Sequence, residues 1–290
     1  MTFESLILDP LSYAFMRQAL IAAVLTGALS GIVGVYVVTR GMAFLGDALA
    51  HSVLPGVAIA FLTGGSSGQG LLVGGLIAAI LSAISIGFLT RGRRLAEDTA
   101  IGIVFAGMLA LGVALISQSQ NFALDLSHAL LGNILAVSGE DLLMITVVGG
   151  IVLAAIGKFY NEFLIISFDP TLAQTLKLPA ERLRILLLVL LAITVVIGVQ
   201  VVGVALVSAM LVTPAATARF YVKRLHQMMG LAALIGALCS VFGVFIAWHL
   251  NVETSAAIVL TMTTVFALSF LFAPHVGYIW SVLGRSARTA

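Results

Sequence analysis

An aspartate and a histidine four residues apart, Asp47 and His51, interrupt an apolar run that extends from Phe44 to Leu62. On a helix, positions i and i+4 project from one face about one turn apart, so this carboxylate and imidazole look into the same space. Two ligands of one cation need that arrangement, an oxygen from Asp47 and a nitrogen from His51. Pro55 adds a further polar group. It has no N–H to offer the carbonyl of His51, so the helix is expected to bend there and leave that oxygen beside the two side chains. A buried Asp–His pair that only fixes helix packing is the competing reading. Ionisable groups in hydrocarbon are costly and as a rule face a bundle interior or an ion path, which gives the metal-site reading precedence.

The surroundings of the pair are membrane by composition. Hydrophobic residues make up 61% of the 290, charged residues 9%, and the mean hydropathy is +1.19. A water-soluble domain carries about 25% charged residues, so this chain cannot cover itself with a water-facing surface. Long Leu/Ala/Val/Gly runs without apolar–polar alternation exclude a transmembrane β-barrel. The expectation is an all-α polytopic membrane protein with no soluble catalytic domain. Cys239 is the only cysteine and lies in an apolar run, so neither a disulfide framework nor a thiolate cluster is available within one chain. The first residues, Met1 to Ser12, carry Glu4 and Asp9 but no Lys or Arg, unlike the basic start of a secretory signal peptide.

Runs between polar breaks predict spans near 13–39, 44–63, 70–90, 98–117, 140–160, 183–201, 203–222, 227–249 and 254–273. The seventh contains Ser208, Thr213, Pro214, Thr217 and Arg219, so a broken or re-entrant helix is expected there beside eight full spans. With the 63–70 loop outside, Arg40, Arg91, Arg93, Arg94, Lys158, Lys177, Arg182, Arg184, Arg219, Lys223, Arg224, Arg285 and Arg288 fall on the cytoplasmic side, leaving only Arg17 outside. The N-terminus is then outside and the C-terminus cytoplasmic. A net charge of +2 is accounted for by this sorting, so no nucleic-acid partner is implied.

Small-residue spacing such as Gly27, Gly31 and Gly34 points to close helix packing. No glycine cluster makes a nucleotide loop: Gly157-Lys158 is followed by Phe159 where Ser or Thr would hold magnesium. Between Lys158 and Arg184 runs a cytoplasmic loop in which Asp169 reads as a helix N-cap and Pro170 as the first helical residue. A short helix of about 170–178 follows, stopped by Pro179. Phe168, Leu172 and Leu176 form an apolar stripe along it, suited to a protein partner or to the lipid surface.

The run from Arg40 to Ala58, RGMAFLGDALAHSVLPGVA, resembles the signature of permease subunits of bacterial ABC importers for manganese, zinc and iron. Val202 to Ala218, VGVALVSAMLVTPAATA, is similar to that family's second signature, and Asp98 to Ile103 with Leu131 to Leu135 fits its manganese-type branch. The resemblance covers nearly the whole chain. It implies a single type II importer-like transmembrane domain over 1–290 in the bacterial plasma membrane, surrounded by lipid. It also implies a second permease copy, two cytoplasmic ATP-binding subunits that hold the ATP, and an extracytoplasmic metal-binding protein that delivers the ion. Asp47 and His51 from each copy would then form the metal site in the path, with no permanently bound cofactor. Asp169, Pro170, Leu172 and Leu176 would belong to a coupling helix seated on the ATPase. Two carboxylates and two imidazoles suit manganese and also accept zinc or ferrous iron.

Other polar residues rank lower. His249 and Glu253 are four apart at an outer turn, Asp125 and His128 lie in the outer stretch 118–139, His226 and His275 sit in inner flanks, and Glu97 and Asp98 open a span where negative charge complements a helix N-terminus. Two rival functions remain. An ATP-independent secondary transporter or channel would be expected to show midplane charges in both halves, and one strong pair is present. An intramembrane metalloenzyme would need a base beside the metal, and no His-Glu-x-x-His cluster exists.

Overall fold

The structure is a computed structural model whose described residues are 9–63, 68–93, 95–117 and 134–273. Among them every regular element is helical. In hydrocarbon a backbone N–H or C=O finds no water, and a helix satisfies both within its own segment. The helices are α1 (Ala14–Thr39), α2 (Leu45–His51), α3 (Leu54–Leu62), α4 (Gly68–Leu89), α5 (Glu97–Ile116), α6 (Gly139–Lys158), α7 (Tyr160–Phe168), α8 (Pro170–Thr175), α9 (Ala180–Val202), α10 (Val204–Arg219), α11 (Leu225–Leu250) and α12 (Thr254–Phe272).

Eight spans among the described residues are long and apolar enough to cross a membrane, α2 and α3 together counting as one. α10 is the exception. Its 16 residues make a helix of about 24 Å, short of the roughly 30 Å hydrocarbon layer. The chain break expected within 203–222 sits at its start, where Gly203 has φ 84° and ψ 166°, a backbone that side-chain-bearing residues rarely adopt. Pro214 is accommodated inside the helix.

Two differences from the expected pattern lie between α6 and α9. Residues 160–168 form a helix of their own, α7, with Phe163 and Ile166 buried. The short helix predicted over 170–178 ends at Thr175, because Lys177 takes a left-handed conformation with φ 53°. The Leu178 N–H then reaches back to the Ala173 carbonyl at 3.0 Å, closing the helix end before Pro179 is met.

The chain divides into two compact units. The first comprises Met1–Val38, Ile134–Leu142 and Ala209–Ala290, and the second Thr39–Asn133 and Leu143–Ser208. In the first, the glycine face of α1 packs closely on its neighbours: Gly27 meets Gly236, Gly31 meets Ala232 and Gly34 meets Leu211, so the small-residue spacing serves packing. In the second, α9 is the buried centre, with 72% of its span interior against 22% for α5. Exposed apolar side chains such as Phe88, Ile103 and Ile151 then suit a lipid surface.

α3 and α4 of the second unit touch backbone to backbone, since a Cβ on Gly56 would overlap the Gly74 carbonyl and one on Gly74 the Gly56 carbonyl. Gly56→Ala is therefore expected to destabilise the detergent-solubilised protein by about 1–3 kcal/mol, read as a lowered Tm. Gly150→Ala, where a Cβ meets nothing within 4 Å, is the comparison and should leave Tm close to the parent's.

Candidate metal centre

The helix that carries Asp47 and His51 is only seven residues long, and local chemistry sets both its ends. Asp47 stands in its first turn, where the helix dipole favours a negative charge, and His51 in its last. After His51 the Ser52 hydroxyl donates to the Ala48 carbonyl at 2.7 Å, a back-bond that tends to bend helices. Pro55 stands near the start of α3 and cannot donate to His51. Regular bonding resumes with the Val57 N–H on the Val53 carbonyl at 3.1 Å. Between the two helices Ser52 and Val53 keep right-handed helical dihedrals, so the interruption near Pro55 is a local one.

One face of α2 is closed and the other open. Leu45, Gly46, Ala48, Leu49 and Ala50 are buried, with the helix packed against α5 and α9. The Asp47 and His51 side chains keep 38% and 31% of their exposure on the remaining face. The Phe105 ring of α5 lies edge-on to both Phe44, at 5.4 Å between centroids, and His51, at 5.8 Å. This aromatic wedge sets the plane of the imidazole. His51 Nδ1 is buried without a hydrogen-bond partner among the described residues, whereas Nε2 faces Asp47.

Nε2 of His51 stands 3.8 Å from Oδ1 of Asp47, too far for a hydrogen bond. Two ligands about 2.1 Å from one ion, at angles of about 90–110°, lie about 3.0–3.4 Å apart. A side-chain adjustment of roughly half an ångström therefore brings both donors onto one cation. Among the described residues no cluster of three or more His, Cys, Asp or Glu side chains exists, so this pair supplies two ligands and no more.

The other sequence candidates do not assemble. The His249 Nδ1 lies 2.8 Å from the Phe245 carbonyl of its own helix. Both carboxylate oxygens of Glu253 accept backbone N–H groups, of Ser255 at 2.9 Å and Ala256 at 2.6 Å, as the N-cap of α12. His226 is exposed. Asp125, His128 and His275 lie outside the described residues. Asp169 caps α8, its Oδ1 accepting the Leu172 N–H at 2.9 Å, with Pro170 at the helix start. Phe168, Leu172 and Leu176 are 59%, 43% and 53% exposed.

Sequence reasoning missed Phe105 and an ion cluster built on Arg40, Glu97, Glu181 and Arg184. No local spacing reveals either, because Arg40 and Glu97 are 57 residues apart.

The sequence profile of the ABC 3 transport family matches residues 12–273. The chain belongs to that family. The manganese transport system membrane protein MntC of Halalkalibacterium halodurans is 41% identical over 269 residues, covering 93% of this chain and 91% of the relative. The manganese import system permease protein ScaB of Streptococcus parasanguinis is 43% identical over 262 residues, covering 90% and 92%. Among solved structures, PsaBC from Streptococcus pneumoniae in complex with Fab superposes with a TM-score of 0.82 at 38% identity, covering 97% of this chain and 100% of that one. This member of the ABC 3 transport family is a multi-span permease of an ABC importer, a protein of the plasma membrane.

The half-open face of α2 makes its own test. Cysteines placed at Asp47 and His51 are expected to react with a water-soluble thiol reagent in intact membranes, while one at Leu49, 0% exposed, stays unreactive. Cys239, 3% exposed, gives little background. Protection of both positions, with a lipid-soluble reagent still reacting, would place the pair against lipid and remove it from any ion path.

Proposed function

We propose that this permease carries manganese across the membrane, with Asp47 and His51 as its ligands in the path. One observation carries the reading: an oxygen and a nitrogen donor share the open face of a helix whose other faces are buried in apolar side chains. The donor set is hard enough for manganese and also accepts zinc or ferrous iron. The manganese systems named for the two relatives, each matched over at least 90% of this chain, support that choice.

Two donors leave the coordination sphere of any of these ions incomplete. A second copy of the chain, placed by two-fold symmetry, supplies two more and gives a site of two carboxylates and two imidazoles. An extracytoplasmic metal-binding protein delivers the ion, and two cytoplasmic subunits bind and hydrolyse the ATP. The permease itself keeps no bound cofactor. The basic residues orient the chain with its N-terminus outside and its C-terminus cytoplasmic, which puts α7 and α8 on the ATPase side. There Asp169 and Pro170 start a short helix, and Leu172 and Leu176 offer exposed apolar side chains. That helix is the coupling helix of this reading, and the 158–184 segment its cytoplasmic loop.

In liposomes holding the whole importer, Asp47→Ala or His51→Ala is expected to lower manganese uptake by at least about tenfold, with expression and ATPase docking retained. The double variant should add little, because two ligands of one ion fail as a unit. His249→Ala and His128→Ala should keep most of the uptake. Near-parental transport by either single variant under limiting manganese would return the pair to helix packing.

Coupling has a separate test. Leu172→Glu combined with Leu176→Glu is expected to abolish co-purification with the ATP-binding subunit and with it metal-stimulated ATP hydrolysis, while the chain still inserts. Undiminished co-purification would assign the stripe to the lipid surface. Uptake that persists without any ATP-binding subunit would instead support a secondary transporter or channel.

A further inference from the structure

Four charged side chains meet at one end of the second unit. Arg40, between α1 and α2, donates from Nη2 to Oε1 of Glu97 at 2.5 Å. Nη1 of Arg184 stands 3.9 Å from the same carboxylate oxygen. The Arg184 guanidinium also donates to Glu181 Oε2 at 3.2 Å, to the Gly87 carbonyl of α4 at 2.8 Å and to the Thr90 carbonyl just past its end at 3.2 Å. One cluster therefore ties the entry to α2, the start of α5, the end of α4 and the first turn of α9.

The cluster lines a pocket of about 720 Å³ whose wall also contains Ile166 of α7 and Gln174 of α8. It thus stands between the segment proposed to meet the ATPase and the helix that carries Asp47 and His51. Glu97 opens the helix that sets Phe105 against the imidazole. The two carboxylates balance the two guanidiniums, so these groups make no net positive field for an anion. Their spare capacity lies in the donors: Arg40 Nη1 and Arg184 Nε are buried with no acceptor among the described residues, although the two side chains are only 9% and 15% exposed.

We propose that the Arg40, Glu97, Arg184 and Glu181 cluster is a positioning network that passes movement of α7 and α8 to the metal-bearing helix α2. The inference rests on the proposed importer reading. A part-buried network with unused donors can exchange partners when one helix shifts, and the pocket gives α8 room to shift. Arg40 and Glu97 act through α2 and α5, without touching the ion. Such a link requires an element with two arrangements that both ends bias, which in this proposal is the partner exchange of the cluster.

The experiment uses the whole importer in liposomes, with manganese and the delivery protein, and reads manganese carried per ATP hydrolysed. Arg40→Gln and Glu97→Gln are each expected to lower this ratio by about fivefold, with manganese affinity and basal hydrolysis kept. The double variant should be no worse than either single one, and Arg40→Lys, which keeps the charge, should retain most of the ratio. A merely structural role would lower assembly, hydrolysis and uptake together and leave the ratio alone. Should Glu97→Gln fail to assemble, Glu97→Asp shortens the reach to Arg40 and is expected to lower the ratio in the same direction. An unchanged ratio in the variants that assemble, or an additive double variant, overturns the network while the importer reading stands. A parent importer without manganese-dependent hydrolysis overturns the importer reading, and the network falls with it.

Discussion

A carboxylate and an imidazole inside an otherwise apolar span constrain the packing of the second unit. An Asp at the bilayer centre costs about 2.5–3.5 kcal/mol on insertion scales, and the span that holds Asp47 is already the least apolar of the eight, with a mean hydropathy of 1.6. Such a segment is held in place by its neighbours. Leu45 and Leu49 are fully buried, α5 and α9 close the apolar faces, and only the face bearing Asp47 and His51 is left open. The interruption at Ser52 and Val53 ends the short helix just past His51, and Gly56 of α3 packs directly on α4.

The division of labour between burial and charge explains which parts of the fold were legible. A membrane span announces itself by a long apolar run between polar breaks, and α1, α4, α5, α9, α11 and α12 start and stop where those runs do. Short elements carry no such signal. α7 has nine residues and begins with Tyr160, Asn161 and Glu162, which read as loop, yet Phe163 and Ile166 bury it. The end of α8 turns on the left-handed backbone of Lys177, a residue whose composition gives no hint of it. In the stretch 203–222 the polar residues suggested a broken helix, but the chain breaks at Gly203 and runs on through Pro214. A proline inside a span is tolerated where neighbouring groups take up the freed carbonyls, and only the tertiary structure says where that happens.

The site shows the same limit from the other side. Spacing alone put Asp47 with His51 and also His249 with Glu253. The two pairs differ in what the backbone asks of them. Glu253 is taken by the N–H groups that open α12, and His249 faces a carbonyl of its own helix. Asp47 has no such duty: its helix begins at Phe44 with no side-chain cap, so its oxygens remain free for a ligand. Arg40 and Arg184 were legible only as positive charges sorted to one side of the membrane. Their pairing with Glu97 and Glu181 joins residues 57 or more apart where it links different helices, and no helical periodicity reports contacts of that range.

In the proposed importer, a two-donor half-site also bears on how an ion is released. A site shared by two chains loses half its ligands when they part, so separation of the copies weakens the hold on the ion. Release and separation of the copies are then one event. The same reasoning locates selectivity elsewhere. Nitrogen and oxygen ligands bind zinc more tightly than manganese, following the Irving–Williams order, so affinity at Asp47 and His51 alone would favour the wrong ion. Preference for manganese must therefore come from geometry that the paired chains impose or from the protein that delivers the ion. In that proposal, Asp47 and His51 need only bind weakly enough to let go.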